Sequence, residues 1–432
     1  MSLVATLESP LPAALPAGTR TAVFVYGASG APIEVSVEGV RHRAAWVRGR
    51  FWATVPVTAR GDAVEIAAAS GGAVVPLGRI EVEAPAPPPS LGRPAPRGLI
   101  AICMATFEPD PALFRAQVDS LRAQTDERWV CVVSDDASGP EHVERIRAVL
   151  GDDPRFVLSR SEARLGFYRN FERALRLAPA EAGLLALCDQ DDRWRPEKLA
   201  VLREALGGSG LVYSDQRLVD AEGRVLRDTL WRGRRNDHRD LTSMLVANTI
   251  TGAAVLMRRE IAELALPFPD TPGMPFHDAW LAVVALAAGD VAYVDRPLYD
   301  YVQHRGAVFG SVTHGERPRR RFSPRGAYFR GYLPRAVLAA VLLVRCAGRL
   351  APAKRRALER FVAAERSPAA FLWLAARPLR VLAGRTETLG SESELLPGLL
   401  WRRLAGPLRL DASLPELLSF EQKRLRRWRA RV

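Results

Sequence analysis

A chain of 432 residues with 48% hydrophobic and 25% charged residues has room for two or three domains and a sizeable core, which excludes a disordered or fibrous protein. Its longest apolar runs, such as residues 336–344, fall well short of the roughly 20 residues of a membrane span, and no signal peptide is apparent, so a cytoplasmic location with at most peripheral membrane contact is expected. The net charge of +13 gathers in the last third, in Arg317-Pro318-Arg319-Arg320-Arg321 and Lys423-Arg424-Leu425-Arg426-Arg427, and turns attention to phosphorylated substrates, anionic lipid or nucleic acid.

Residues 1–16 are rich in Pro and Ala and are predicted to be irregular. From residue 19 to 82, short alternating runs such as Thr21-Ala22-Val23-Phe24-Val25-Tyr26 and Ile33-Glu34-Val35-Ser36-Val37 are bounded by Gly, Pro or Asp. This spacing predicts a small β-sandwich over residues 1–83, a spacer or binding module with Trp46 and Trp52 in its core. Residues 84–97 are a Pro-rich linker. The pattern then changes to strands at 99–105, 129–133, 155–158 and 184–188, separated by helices at 111–124, 141–150 and up to residue 177. Such a βαβαβαβ order predicts a parallel sheet with helices on both faces. Of the four cysteines, Cys103, Cys131 and Cys188 lie inside the strand-like runs and Cys346 pairs with none by spacing; all four are expected to be reduced.

Polar residues recur at the C-terminal ends of these strands, where open α/β sheets bind ligands. The sharpest case is Leu184-Leu185-Ala186-Leu187-Cys188, which stops at Asp189-Gln190-Asp191-Asp192. Three carboxylates this close repel, and a divalent cation with phosphate ligands of its own would offset them. Residues 211–215 are predicted as a further strand and residues 217–239 as a basic, irregular loop over the site. Thr251-Gly252 marks either a plain turn or a close approach of backbone to ligand. His277-Asp278 opens an apolar helix, where an acid is either a cap or a functional group. Residues 336–344, 354–366 and 369–382 are predicted helices, followed by a basic tail from Leu417; they pack on the preceding domain or lie on an anionic bilayer.

Taken together, Met104-Ala105-Thr106-Phe107-Glu108, Ser134-Asp135-Asp136-Ala137-Ser138, Leu165-Gly166-Phe167-Tyr168-Arg169-Asn170 and Cys188-Asp189-Gln190-Asp191-Asp192-Arg193-Trp194 resemble, in order and spacing, the family 2 glycosyltransferases of GT-A fold. Asn248-Thr249-Ile250-Thr251-Gly252, His277-Asp278-Ala279-Trp280 and Tyr301-Val302-Gln303-His304 resemble the rhamnosyltransferase-type branch. The last segment departs from the family's Y-R-Q-H at Val302, and Ala307 stands near an expected Asn.

The resemblance implies an α/β GT-A (nucleotide-diphospho-sugar transferase) domain over residues 98–315, preceded by the small all-β sandwich and followed by a basic helical region over 316–432. It implies a donor site of Thr106, Phe107, Glu108, Asp135 or Asp136, Arg169, Asp189 and Gln190, with an acid of the Asp135-Asp136 pair accepting from the imide N–H of the base. Asp191, with Asp192 as competitor, becomes the direct ligand of Mn²⁺ or Mg²⁺, and His304 completes the metal shell. Asp278 becomes the general base. His277 orients it or touches the acceptor, with Trp194, Thr251, Gly252 and Trp280 on the acceptor side. The implied reaction is inverting transfer of a sugar, L-rhamnose first, from a dTDP- or UDP-sugar to a hydroxyl of a surface polysaccharide or lipid-linked glycan, with no nucleic-acid partner. A galactofuranosyltransferase is the second choice, and a non-catalytic glycan-binding protein on a GT-A scaffold is the alternative outside enzymes.

Overall fold

The computed structural model describes residues 3–230, 238–272, 276–304, 323–383 and 389–414. The strands before residue 84 form two sheets. One has the order β1 (Ala5–Leu7), β3 (Arg20–Ser29), β7 (Arg50–Thr58) and β6 (Ala45–Val47). The other has the order β2 (Ala14–Pro16), β9 (Ala73–Glu83), β8 (Ala63–Ser70), β4 (Glu34–Val37) and β5 (Val40–Arg43). β1 and β2 correct the expectation that residues 1–16 are irregular. Both are edge strands that gain order from pairing with β3 and β9, and an edge tolerates Pro16 of β2.

Alternation explains how the first sheet is used. Successive side chains of a strand point to opposite faces, so Val23, Val25, Phe51, Val55 and Val57 face the second sheet and close the sandwich core. Their neighbours Ala22, Phe24, Tyr26 and Trp52 belong instead to the core of the remaining chain. The Trp52 indole donates to the Tyr328 hydroxyl at 3.0 Å, and the Tyr26 hydroxyl accepts from the Leu414 N–H at 2.7 Å. The sandwich is therefore cemented to the C-terminal helices. The Pro-rich stretch also lies along the protein: Ala180 N–H donates to Pro89 O at 2.8 Å and Leu91 N–H to the Glu181 carboxylate at 3.2 Å.

The central sheet has nine strands. Its parallel half runs β12 (Phe156–Arg160), β11 (Trp129–Asp135), β10 (Ile100–Thr106), β13 (Leu184–Cys188). The chain steps outward from β10 to β11 and β12, then crosses back to place β13 on the other side of β10. That reversal leaves a crevice at the C-terminal ends of β10 and β13. The sheet continues as β17 (Val255–Arg258), β15 (Leu211–Asp220), β18 (Val291–Gln303) and β14 (Arg193–Trp194), with β16 (Val225–Arg227) beside β15. β17 and β14 run antiparallel to their neighbours, so the sheet is mixed rather than wholly parallel.

α1 (Pro111–Arg122) starts where the Asp110 side chain accepts from the N–H groups of Ala112 and Leu113, with Pro111 at its first position. α2 (Pro140–Leu150), α3 (Phe167–Arg176), α4 (Lys198–Leu206), α5 (Leu241–Val246), α6 (Arg259–Ala265) and α7 (His277–Ala288) complete this domain. The expected loop at 217–239 is a strand and hairpin as far as Arg227. Leu218 and Val219 are buried, and Arg217 pairs bidentately with Asp300 of β18 at 2.8 and 2.7 Å. Residues 231–237 lie outside the described residues.

After residue 323 the chain is helical. α8 (Pro324–Ala327), a π-turn at Tyr328–Tyr332 and α9 (Leu333–Arg345) form one stretch, long and apolar enough to cross a membrane by length and composition. Half of its most apolar window is buried inside the protein, with Tyr328, Phe329 and Tyr332 fully buried against Trp52, Trp401 and Phe361. α10 (Pro352–Ala363), α11 (Pro368–Ala376) and α12 (Leu389–Ala405) follow. Gly398 of α12 rests on the backbone of the π-turn, where a Cβ would come within 2.5 Å of Tyr328 N. The arginine run at 317–321 and the basic tail from Leu417 lie outside the described residues.

This shared core predicts that the sandwich and the domain after it unfold together. Trp52→Ala is expected to lower stability by about 3–5 kcal/mol in a single denaturant transition, whereas Val74→Ser, at an exposed position, is expected to stay within about 0.5 kcal/mol of the wild type. Intrinsic fluorescence and circular dichroism followed against urea check both, and two separate transitions would contradict the shared core.

Candidate active site

The crevice between β10 and β13 is assembled from backbone turns locked by side chains. Asn170, in the first turn of α3, donates to Ser134 O at 2.9 Å and Thr106 O at 3.3 Å, and accepts from the Ser134 hydroxyl at 2.7 Å. One buried amide thus ties the ends of β10 and β11. Gln190 accepts from Phe107 N–H at 2.8 Å and donates to Phe107 O at 3.3 Å, which joins the acidic loop to the end of β10.

Asp135 and Asp136 are both fully buried. Asp135 accepts from the Ser138 N–H at 3.0 Å and from its hydroxyl, while Thr106 Oγ1 lies 3.5 Å away. Asp136 accepts from Leu165 N–H at 2.6 Å and Gly166 N–H at 2.9 Å, and pairs with Arg164 at 2.8 Å. Of the two, Asp136 is given over to the loop that precedes α3, a correction to its place among the base-binding acids. The rim here is the half-buried Phe107 with the exposed Glu108 and Arg164. The Arg164 guanidinium stacks 3.0 Å above the Phe107 ring. Sequence reading passed over Arg164, since only the fold brings it to Phe107.

Arg169 is likewise corrected. It bonds Glu172, Asp270 and, at 2.8 Å, Phe268 O. A guanidinium held by two carboxylates and a carbonyl braces the segment before α7 rather than facing a donor.

The acidic loop divides its carboxylates. Asp189 and Asp191 are half-buried at the crevice. Burial, with Asp191 and Asp278 nearby, pushes the Asp189 carboxyl up to about 7. Asp191 Oδ2 lies 2.8 Å from His304 Nε2, so the last residue described after β18 closes on the loop after β13. Asp192 is turned the other way. It is fully buried, one oxygen accepts from Val302 N–H at 3.1 Å, and the other has no partner among the described residues. Burial and its acidic neighbours hold it well above the usual carboxylate range. Asp192 is therefore not the metal ligand. Val302 contributes its backbone N–H, and its buried side chain packs with Leu113 and Val219; Ala307 lies outside the described residues.

Asp191 and His304 fit a divalent cation as a pair. No group of three or more metal-ligating side chains converges among the described residues. A hard cation on a diphosphate needs few protein ligands, because phosphate oxygens and water complete its shell.

On the side where the resemblance expects the acceptor, Asp278 sits in the first turn of α7, half-buried, and accepts from the Ala279 N–H at 2.6 Å. Burial pushes its carboxyl up to about 6, while the Ala279 and Gly252 N–H groups pull the other way. Gly252 earns its absent side chain from the protein itself: a Cβ would come within 2.6 Å of His277 Nε2, so the close approach is to His277 and not to a ligand. His277 is buried, stacks on Phe171 at 3.7 Å, and neither ring nitrogen has a partner among the described residues. Burial drives it down to about 3. A neutral ring without hydrogen bonds does not orient Asp278; it packs beneath it. Trp194 and Trp280 are also core: Trp194 lies under the Lys198 ammonium, and the Trp280 indole donates to Ala265 O at 2.9 Å. Of the expected acceptor residues Thr251 remains half-buried beside Tyr299. Tyr301, which sequence reading cited only as part of a motif, has its phenol raised by burial and by Asp192, Asp189, Asp191 and Asp278 together. It marks the point on which the four acids converge.

The four cysteines are free and buried, and burial pushes Cys103 up to about 12; they are inert core residues.

Residues 101–264 match the family described as Glycosyl transferase family 2. A curated relative, the uncharacterized protein y4gI of Sinorhizobium fredii (strain NBRC 101917 / NGR234), is 28% identical over 122 residues, 27% of this chain and 13% of that protein's length. The chain thus spans a small part of that relative. Distant likeness extends to S. aureus TarS 1-349 in complex with UDP-GlcNAc, at 14% identity, TM-score 0.43 and coverage of 72% of this chain and 92% of that one. It extends also to the mannosyltransferase PcManGT from Pyrobaculum calidifontis in complex with GDP-Man and Mn2+, at 18% identity, TM-score 0.37 and coverage of 73% and 89%. The family match covers the β10–β13 crevice and its acidic loop, and the mixed sheet with its helices supplies the architecture: residues 101–264 are a glycosyl transferase family 2 domain, and the catalytic fold is GT-A.

Proposed function

We propose that the protein is an inverting, metal-dependent glycosyltransferase. It moves a sugar, with L-rhamnose the first choice, from a dTDP- or UDP-sugar to a hydroxyl of a surface polysaccharide or lipid-linked glycan. The observation that carries this reading is Asp278: a half-buried carboxyl with its affinity raised to about 6, sharing an electrostatic field with the Asp189–Asp191 loop at the strand ends. A base poised near the working pH, opposite a diphosphate site, is what single displacement at an anomeric carbon requires. The choice of rhamnose rests on the resemblance of residues 248–252, 277–280 and 301–304 to that branch.

Thr106, Phe107, Glu108 and Gln190 bound the nucleotide. Asp191 and His304 would hold Mn²⁺ or Mg²⁺, which supplies Lewis-acid stabilisation of the departing nucleoside diphosphate. Asp278 takes the proton of the acceptor hydroxyl as its oxygen attacks C1 from the face opposite the leaving group, so the anomeric configuration inverts. We place the protein in the cytoplasm, where its buried thiols stay reduced, with peripheral contact to an anionic membrane through the C-terminal helices. A sandwich before the domain and helices after it support UDP-galactofuranose as the second donor.

Thermal shift against a panel of dTDP-, UDP- and GDP-sugars, with and without Mn²⁺, tests the reading. One nucleotide class is expected to stabilise the wild type in a metal-dependent way, and Asp191→Ala to lose that gain. No shift with any donor favours a glycan-binding protein on a silent scaffold.

Asp278→Asn is expected to keep donor binding and lose about 10²–10⁴-fold in kcat, measured as release of nucleoside diphosphate with acceptor present. Because the base must be ionised, kcat/KM is expected to fall about tenfold per pH unit below about 6 and to level off above it.

The same raised carboxyl predicts a stability effect. Its folded value lies above the ordinary one, so the native state holds the extra proton between the two values and loses stability as pH rises through that window. Asp278→Asn is therefore expected to melt higher than the wild type at pH 7.5, with the difference vanishing near pH 4; an equal or lower melting point at pH 7.5 would contradict it.

A further inference from the structure

We infer that Lys198 is a positioning residue that ties the turn Gly252–Ala254 to β14, the strand directly after the acidic loop, and so sets where Asp278 stands. Lys198 is the first residue of α4 and is fully buried. Its Nζ donates to the Ala253 carbonyl. The same nitrogen lies 3.4 Å from the centroid of the Trp194 ring and 4.7 Å from that of Tyr299. The groups that act on its charge are Cys188, Asp192 and Asp189. β14, the 252–254 turn and β18 therefore meet at one nitrogen.

The turn it grips lies directly behind the base. Gly252 precedes Ala253, its N–H helps hold the Asp278 carboxylate, and a Cβ on it would come within 2.6 Å of His277 Nε2. A carbonyl that tilts at Ala253 moves Gly252, and Gly252 has no slack against the imidazole. The grip does not depend on protonation, because an amine and an ammonium both donate to a carbonyl.

Stability alone gives little reason to bury a lysine here. A buried ammonium loses its hydration at a cost, and methionine matches the length of the lysine stem. The donor to Ala253 is what such a replacement removes.

The clamp rests on the proposed role of Asp278, and its test separates the two. In Lys198→Met, hydrogen exchange in peptides spanning residues 188–194 and 250–255 is expected to rise about tenfold or more, with exchange elsewhere in the chain held. Lys198→Gln, whose amide still donates, is expected to recover part of the protection. In turnover, Lys198→Met is expected to lose about tenfold or more in kcat with the donor KM within about threefold. Unchanged exchange in those peptides overturns the clamp. So does exchange that rises evenly along the chain with Gln no better than Met, since Lys198 would then only fill the core; the Gln variant also decides the matter if the Met variant does not fold. A wild type that turns over no donor would sink the transferase reading, while the exchange comparison would still settle the clamp.

Discussion

Three carboxylates crowded at the end of one strand, with a fourth at the start of α7, are the constraint around which this protein is arranged. Asp189, Asp191, Asp192 and Asp278 converge on Tyr301, whose phenol all four perturb. In a medium of low dielectric such charges repel strongly and shed water at a cost. The protein answers each differently. Asp192 goes inward to a backbone N–H of β18, Asp191 meets His304, and Asp278 sits on the N–H groups of a helix start and of Gly252. Asp189 stays half-exposed at the crevice. A residual negative field remains at the crevice, suited to a cation that arrives with a diphosphate.

The scaffold around this cluster is bound together by elements distant in the chain. β18 supplies Val302 and Tyr301, α4 supplies Lys198, and residue 252 abuts residue 277. The N-terminal sandwich belongs to the same body. Its first sheet is apolar on both faces, and the outer face is covered by the π-turn and α9. A strand apolar on both faces must be buried twice, so the sandwich is a buttress as well as any binding module it forms. The apolar stretch 324–345 is used in the same way, with its aromatic residues turned to Trp52 and Trp401.

Residue type at a motif position proved a good guide to where the site lies and a poor guide to which way each side chain faces. Trp194 and Trp280 stand in motif segments near the site yet pack inward, because an indole that can reach a carbonyl or a cation gains more from burial than from the rim. Arg169 follows the Gly-Phe-Tyr of its motif but finds two carboxylates, Glu172 and Asp270, closer than any ligand. Arg164, five residues earlier, takes the rim position through its stack on Phe107.

Local patterns were enough to read the alternation of strands and helices from residue 98, the apolar run that ends at Asp189 and the Pro-rich stretch, because each depends on neighbours within a few residues. They sufficed also for the family resemblance, since its motifs are contiguous strings. Tertiary structure alone decided that Asp192 turns inward while Asp191 faces His304, and that Gly252 is a glycine for the sake of His277. It decided as well that Lys198 reaches the Ala253 carbonyl and that the sandwich shares its core with helices 276 residues away, between Trp52 and Tyr328. Each of these depends on which backbone passes behind a given side chain. Two oxygens on adjacent aspartates are equivalent in sequence, and only the strand that crosses behind one of them makes them different.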